Sequence, residues 1–166
     1  MSERPTAVET SAANKPGFWT RHGWKLLIGL VVVIGLFGIG DVIVGLDADP
    51  AIPEGVAGLS PDQIREMSPP VATLVDLQVR AGGLHLLVMS VLWTVIVLVP
   101  YRRGERWAWY TMWTFPAWSL GVAASFLFVE LQPDVPPPPP AVSGWVFFGL
   151  TALLLLGTRR GFESSR

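Results

Sequence analysis

Four ionisable side chains lie in or beside long apolar stretches of this chain, and they are the residues whose types could carry chemistry. They are Asp41, Arg80, His85 and Glu130. A helix rises about 1.5 Å per residue, which places all four within about two turns of one predicted membrane boundary. A charge at the bilayer centre is unfavourable by about 2.5–3.5 kcal/mol, so these groups need partners or water.

Two interpretations of these four residues remain open. In the first they form a small polar pocket, in which Arg80 binds an anionic headgroup or pairs with Asp41. His85, oriented by Asp41 or Glu130, would then transfer a proton. In the second they form a network of ion pairs and hydrogen bonds that fixes helix register. The sequence favours the second. No other histidine or cysteine lies near His85, so no metal site is predicted, and no cofactor is predicted either.

A second group of charges occupies the short corner Tyr101–Arg106, which separates two apolar stretches. Its basic residues, Arg102, Arg103 and Arg106, are candidates for contact with anionic lipid headgroups, at about 1 kcal/mol per residue near the surface. The alternative is that they determine only the topology of the chain.

Several classes of chemistry lack their sequence signature. There is no cysteine, hence no disulfide framework, thiolate nucleophile or cysteine-bound metal cluster. We find no Walker loop, dinucleotide-binding glycine pattern, zinc-protease helix or nucleophile elbow. Apart from the Tyr101–Arg106 corner there is no basic surface typical of nucleic-acid binding.

The elements that must position these groups are apolar stretches long enough to cross a membrane. The chain is 51% hydrophobic and 15% charged, where a soluble domain has nearer 25% charged residues. About 20 helical residues cross a hydrocarbon layer of roughly 30 Å. We therefore predict an all-α, four-helix transmembrane bundle over residues 22–160, between a disordered cytoplasmic tail (1–21) and a short C-terminal tail (161–166). The predicted spans are residues 24–46, 82–100, 107–129 and 141–158.

Local patterns refine this outline. A long outer loop joins the first two spans, and its Ser60-Pro61-Asp62-Gln63 sequence predicts a short capped helix ending near Met67. Pro116 predicts a kink in the third span. The spacing of Ala117, Gly121 and Ser125 predicts a packing seam on that span.

Two further features concern the connections. Gly82-Gly83 is where we expect any bend before the second span. The five consecutive prolines Pro136–Pro140 predict a rigid strap between the third and fourth spans.

The distribution of basic residues predicts the orientation. Ten of the twelve lysines and arginines fall near the N-terminus, in the Tyr101–Arg106 corner or near the C-terminus, and only Arg65 and Arg80 fall elsewhere. Four spans place those three regions on one side, and the positive-inside rule makes that side cytoplasmic. Both termini are therefore predicted to lie in the cytoplasm, and the four spans in a bacterial plasma membrane.

The chain has the tetrapeptide Arg80-Ala81-Gly82-Gly83 at the start of a span and the basic, aromatic segment Tyr101–Tyr110 after it. This pattern resembles that of small bacterial four-helix membrane proteins, some of them DoxX-like. The likeness covers Arg80 to Val129. It implies a compact four-helix membrane fold and transfers no catalytic residue.

Three functions follow as hypotheses. The first is a non-enzymatic accessory or scaffold protein, with membrane lipids and either another membrane protein or a second copy of the chain as partners. The second is a small membrane enzyme or a lipid- or quinone-binding protein with a polar site at the outer face. The third, an ion- or proton-coupled transporter, is disfavoured because no ionisable residue falls near the middle of a span.

Overall fold

The computed structural model describes residues 18–163, and every regular element in that range is helical. The all-α fold class is therefore confirmed. The α-helices are α1 (Phe18–Val44), α2 (Ala51–Ala57), α3 (Pro61–Met67), α4 (Pro69–Ile96), α5 (Arg106–Met112), α6 (Thr114–Ser125), α7 (Pro139–Thr158) and α8 (Arg160–Glu163). Short 3-10 turns follow α1 and α6, and a π-helical turn, Val97–Tyr101, follows α4.

The two predicted tails fall largely outside the described residues, which exclude 1–17 and 164–166. Where they can be compared, the boundaries shift. Residues 18–21 belong to α1, and residues 161–163 belong to α8.

Three helical segments are long and apolar enough to cross a membrane: Arg21–Asp47, Pro69–Tyr101 and Pro139–Thr158. They contain the first, second and fourth predicted spans. The third predicted span, residues 107–129, is divided at Trp113 into α5 and α6. Pro116 explains the division, because it has no N–H to donate to the carbonyl of Met112 one turn earlier. The predicted proline distortion is thus present, three residues before the proline itself.

The second long helix begins earlier than the sequence indicated. α4 starts at Pro69 and continues through Gly82 and Gly83 without interruption for 28 residues. At 1.5 Å per residue it is about 42 Å long, more than the roughly 30 Å of a hydrocarbon layer. α4 is therefore longer than a hydrocarbon layer requires.

The long helices associate as two pairs, α1 with α4 and α6 with α7, and α1 also packs on α7. The buried core lies toward the Tyr101–Arg106 corner, with Leu27, Val31, Trp93, Met112 and Leu155 among its members. The start of α1, the corner and the end of α7 meet there. For example, the Tyr101 hydroxyl is hydrogen-bonded to Thr158 Oγ1 at 2.6 Å. We call this end of the bundle the corner end.

Glycine allows each pair to approach closely. A Cβ added at Gly38 of α1 would lie 2.7 Å from the carbonyl oxygen of Gly83 and 3.0 Å from the backbone nitrogen of Leu87, both on α4. In the other pair, a Cβ at Gly144 would lie 2.9 Å from the Ser119 carbonyl oxygen. Both contacts are with backbone atoms, which cannot move aside as a flexible side chain can.

The seam predicted on the third span is wrong. Ala117, Gly121 and Ser125 are exposed, and α7 packs against Ser119 and Ala123 instead. Small residues four apart do form the α6–α7 contact, as expected of helices in a membrane, but on the neighbouring face.

At the opposite end of the bundle, α2 and α3 form a short helical segment, which we call the cap. The predicted helix after Ser60 is confirmed as α3. Ser60 Oγ accepts from the Gln63 N–H at 3.3 Å and Gln63 Oε1 accepts from the Ser60 N–H at 2.8 Å. The sequence analysis did not predict α2. Of the five-proline strap, Pro139 and Pro140 form the first turn of α7, and the preceding prolines are non-helical.

The α1–α4 approach can be tested with a pair of substitutions on one helix. Gly38→Ala should lower the melting temperature, because overpacking against backbone costs about 1–3 kcal/mol. Gly29→Ala should leave it unchanged or raise it, since a Cβ at Gly29 meets no atom within 4 Å and alanine favours helix. Thermal unfolding in detergent, followed by tryptophan fluorescence, measures both. Equal melting temperatures for the two variants would contradict the described contact.

Candidate functional site

A cavity of about 1030 Å³ lies between the two helix pairs, in the half of the bundle nearer the cap. Residues of α1 and α4 line one side, and residues of α6 and α7 line the other. The cavity exists because α4 pairs with α1 and α6 pairs with α7, while α4 and α6 make few contacts with each other. Its lining is mostly apolar.

Aromatic side chains close the cavity on the side of the core. The rings of Trp93 and Phe115 stack with centroids 4.5 Å apart, and Trp93 meets Trp118 edge to face at 5.7 Å. The Trp93 indole N–H donates to Thr114 Oγ1 at 3.0 Å, which satisfies its polar atom. Trp118 and Phe147 form the part of this aromatic layer that faces the cavity. The backbones of α4 and α6 are not in close contact there, and large tryptophan side chains fill the space between them.

The cap covers the other end of the cavity. Ile52, Pro53 and Val56 of α2 and Ile64 of α3 contribute apolar side chains to its lining. The cap is attached to both sides of the bundle. On one side the Gly55 carbonyl oxygen accepts from the Gln132 N–H at 2.9 Å.

On the other side, α3 packs on α4, and Arg65 forms ion pairs with Asp47 at 2.6 Å and Asp62 at 2.8 Å. The hydrogen bond to Asp47 raises the pKa of Arg65. The cap therefore bridges the α1–α4 side and the segment that leads into α7.

Two of the four predicted site residues, Asp41 and His85, line this cavity. Asp41 is half-buried on α1, and His85 is exposed on α4. The close approach of the helices brings Asp41 against α4, where a Cβ at Gly83 would lie 2.5 Å from the Asp41 Cβ. Within residues 18–163, no hydrogen bond joins Asp41 to His85, so the structure gives no support to a proton-transfer pair.

The third predicted residue, Arg80, has a different partner from those considered. Its Nε donates to Asp76 Oδ2 at 2.7 Å, and its Nη1 donates to the carbonyl oxygens of Val42 at 2.6 Å and Ile43 at 3.1 Å. Those carbonyls belong to the last turn of α1, which has no intrahelical donors for them. Arg80 thus caps α1, so its predicted pairing with Asp41 is not what the structure shows.

Asp76 completes this capping arrangement. Its Oδ1 accepts from the backbone N–H of Leu46 at 2.9 Å, just after Gly45 ends α1 in the left-handed region at φ +69°. A side chain at Gly45 would collide with Asp76 and Arg80. Asp76 was not among the predicted site residues, although the spacing of Asp76 and Arg80, four apart on one helix, is that of a stabilising ion pair.

The fourth predicted residue, Glu130, does not join the others. It is exposed in the non-helical segment after α6 and does not line the cavity. Conversely, Asp49, which the sequence analysis did not select, lines the cavity from the segment before α2. Burial raises the pKa of Asp49, and a hydrogen bond from the Ala51 backbone opposes that shift.

The corner arginines lie at the opposite end from the cavity. The Arg102 guanidinium lies over the Trp24 ring, 5.0 Å from its centroid, and Arg103 is exposed. Arg106 lines a small cleft of about 50 Å³ together with Tyr110 and Arg159. Contact of these three arginines with lipid headgroups therefore stays a prediction. No group of three or more potential metal ligands occurs in the described part of the chain.

Comparison of the chain with protein-family models, with curated proteins and with solved structures finds no match. The resemblance to DoxX-like proteins therefore stays a prediction. The cavity and its lining are the features of the structure that bear on function.

The capping role of Arg80 can be tested against the other arginine of this end. Arg80→Gln should lower the melting temperature in detergent more than Arg65→Gln. The first change removes the guanidinium that donates to Asp76 and to the last carbonyls of α1. The second removes only exposed ion pairs of Arg65 with Asp47 and Asp62. An unchanged melting temperature for Arg80→Gln would show that Arg80 does not stabilise the end of α1.

Proposed function

We propose that this chain is a four-span membrane protein that binds a membrane-soluble amphiphile in the cavity between its two helix pairs. The cavity itself carries the proposal. Its volume of about 1030 Å³ is at the upper end of the roughly 300–1,000 Å³ typical of ligand sites. An apolar lining with a few polar groups at one end matches a molecule with a hydrocarbon body and a polar head.

The position of the polar groups supports an amphiphile over a purely apolar ligand. The aromatic layer at one end of the cavity consists of Trp118 and Phe147, whereas Asp41, Asp49 and His85 lie toward the cap. A ligand would therefore lie along the bundle with its head under the cap. This geometry favours the lipid- or quinone-binding hypothesis over a scaffold.

The topology is part of the same proposal. Three segments satisfy the length and hydropathy of a span, and α5 and α6 together supply a broken fourth one, because α6 packs along α7. With four spans, the arginines of the corner end face the cytoplasm by the positive-inside rule. The cap and the polar end of the cavity then lie at the outer face of a cell membrane.

Filling the cavity should block binding. Phenylalanine at Gly40 or Gly82 would project into the cavity, because both glycines line it and a Cβ at either meets no atom within 4 Å. We expect Gly40→Phe and Gly82→Phe each to reduce labelling of the cavity residues by a photoreactive C12 fatty alcohol about tenfold, equivalent to ~1.4 kcal/mol. Labelling in phosphatidylcholine vesicles, mapped by mass spectrometry, measures this.

Gly121→Phe is the matched control, because Gly121 is exposed on α6, has open space around its Cβ and does not line the cavity. It should label as the unsubstituted chain does. If the fatty alcohol labels the cavity residues of all three variants equally, or labels none of them in the unsubstituted chain, the proposed function is wrong.

A further inference from the structure

The charged groups around the cavity are unequally compensated. The ionisable residues of its lining are Asp41, Asp47, Asp49 and His85, and no lysine or arginine lines it within the described residues. The polar end of the cavity thus has an excess of carboxylates. The charge near a bound headgroup depends on which of these carboxylates are neutralised by neighbouring residues.

The two basic residues of this end are already engaged elsewhere. Arg65 pairs with Asp47 and Asp62, which neutralises the one carboxylate of the lining that it reaches. Arg80 pairs with Asp76 and donates to the last carbonyls of α1. Neither guanidinium is directed to Asp41 or Asp49.

Asp41 and Asp49 are the carboxylates that remain. Across residues 18–163, neither has a lysine or arginine nitrogen within 4.0 Å. His85 lines the same cavity but forms no hydrogen bond with either carboxylate in that range. Asp49 and Asp41 line the same cavity. Both are partly buried beside an apolar volume, where an uncompensated charge is unfavourable and a cation is the natural partner.

We propose that the cavity selects amphiphiles whose headgroup is a protonated amine or a quaternary ammonium, held between Asp41 and Asp49. The inference rests on the proposed function and adds the chemical class of its ligand. The hydrocarbon body lies toward Trp118 and Phe147. A headgroup with a net negative charge is disfavoured, because it would face the same two carboxylates without a lysine or arginine in the lining to receive it.

The test compares probes that differ only in the headgroup. Photoreactive C12 chains ending in trimethylammonium, hydroxyl or phosphate are added to the full chain in vesicles of a neutral glycolipid, which carries no ammonium group, and labelling of the cavity residues is quantified. We expect the ammonium probe to label at concentrations at least about tenfold lower than the hydroxyl probe, the gain of one charge-assisted contact. The phosphate probe should label least.

Substitutions then assign the selectivity. Asp41→Asn and Asp49→Asn each keep the shape of the side chain and should reduce the preference for ammonium over hydroxyl about tenfold, with labelling by the hydroxyl probe retained. Asp134→Asn, an exposed position outside the cavity, should leave the preference intact. Two independent positions keep the test valid if one variant folds poorly.

The outcomes separate the two proposals. Equal labelling of the cavity by all three probes, or a preference for phosphate, would overturn the headgroup inference and leave the proposed function standing. An ammonium preference that survives both aspartate substitutions would overturn it as well. Failure of every probe to label the cavity would remove the proposed function and the inference together.

Discussion

The close approach of α1 and α4 is the constraint on which the rest of the structure depends. Glycines at positions 38 and 83 remove the side chains that would otherwise separate the two backbones. Interaxial distances of packed helices are set by the residues at the contact, so glycine at the crossing brings α4 toward α1. α4 is then held away from α6 along the same stretch, and the space between the pairs becomes the cavity. Where larger residues occur, as at Trp93, the pairs meet and the core is closed.

Sequence reasoning recovered what local physics determines. The capping box at Ser60 and the distortion caused by Pro116 depend on residues within a few positions of each other, and both occur. The apolar stretches likewise specify the helices. The position of Asp41 and His85 on one cavity follows from the same kind of reasoning, because helix rise places both at the same depth on neighbouring helices.

The features that sequence reasoning did not predict depend on which face of each helix packs against its neighbours. In a uniformly apolar helix, the spacing of the residues does not specify that face. In α6 the faces containing Gly121 and Ser119 are equally apolar and small, so the choice between them depends on α7. The role of Arg80 required knowing where α1 ends relative to α4. The short helix α2 has no strong start signal, and its position depends on the contact with the strap at Pro138.

The capping of α1 and the charge of the cavity are two consequences of one arrangement. If Arg80 pointed into the cavity, its guanidinium would compensate Asp41 or Asp49, neither of which pairs with a lysine or arginine in residues 18–163, and would offer a donor to an anionic headgroup. The pairing with Asp76, four residues away on the same helix, instead holds the guanidinium against the last carbonyls of α1. Asp76 also receives the Leu46 N–H, so the chain direction after α1 and the orientation of Arg80 are fixed together. The interaction that ends the first helix thereby leaves Asp41 and Asp49 without a lysine or arginine partner in residues 18–163, and the proposed headgroup selectivity rests on that.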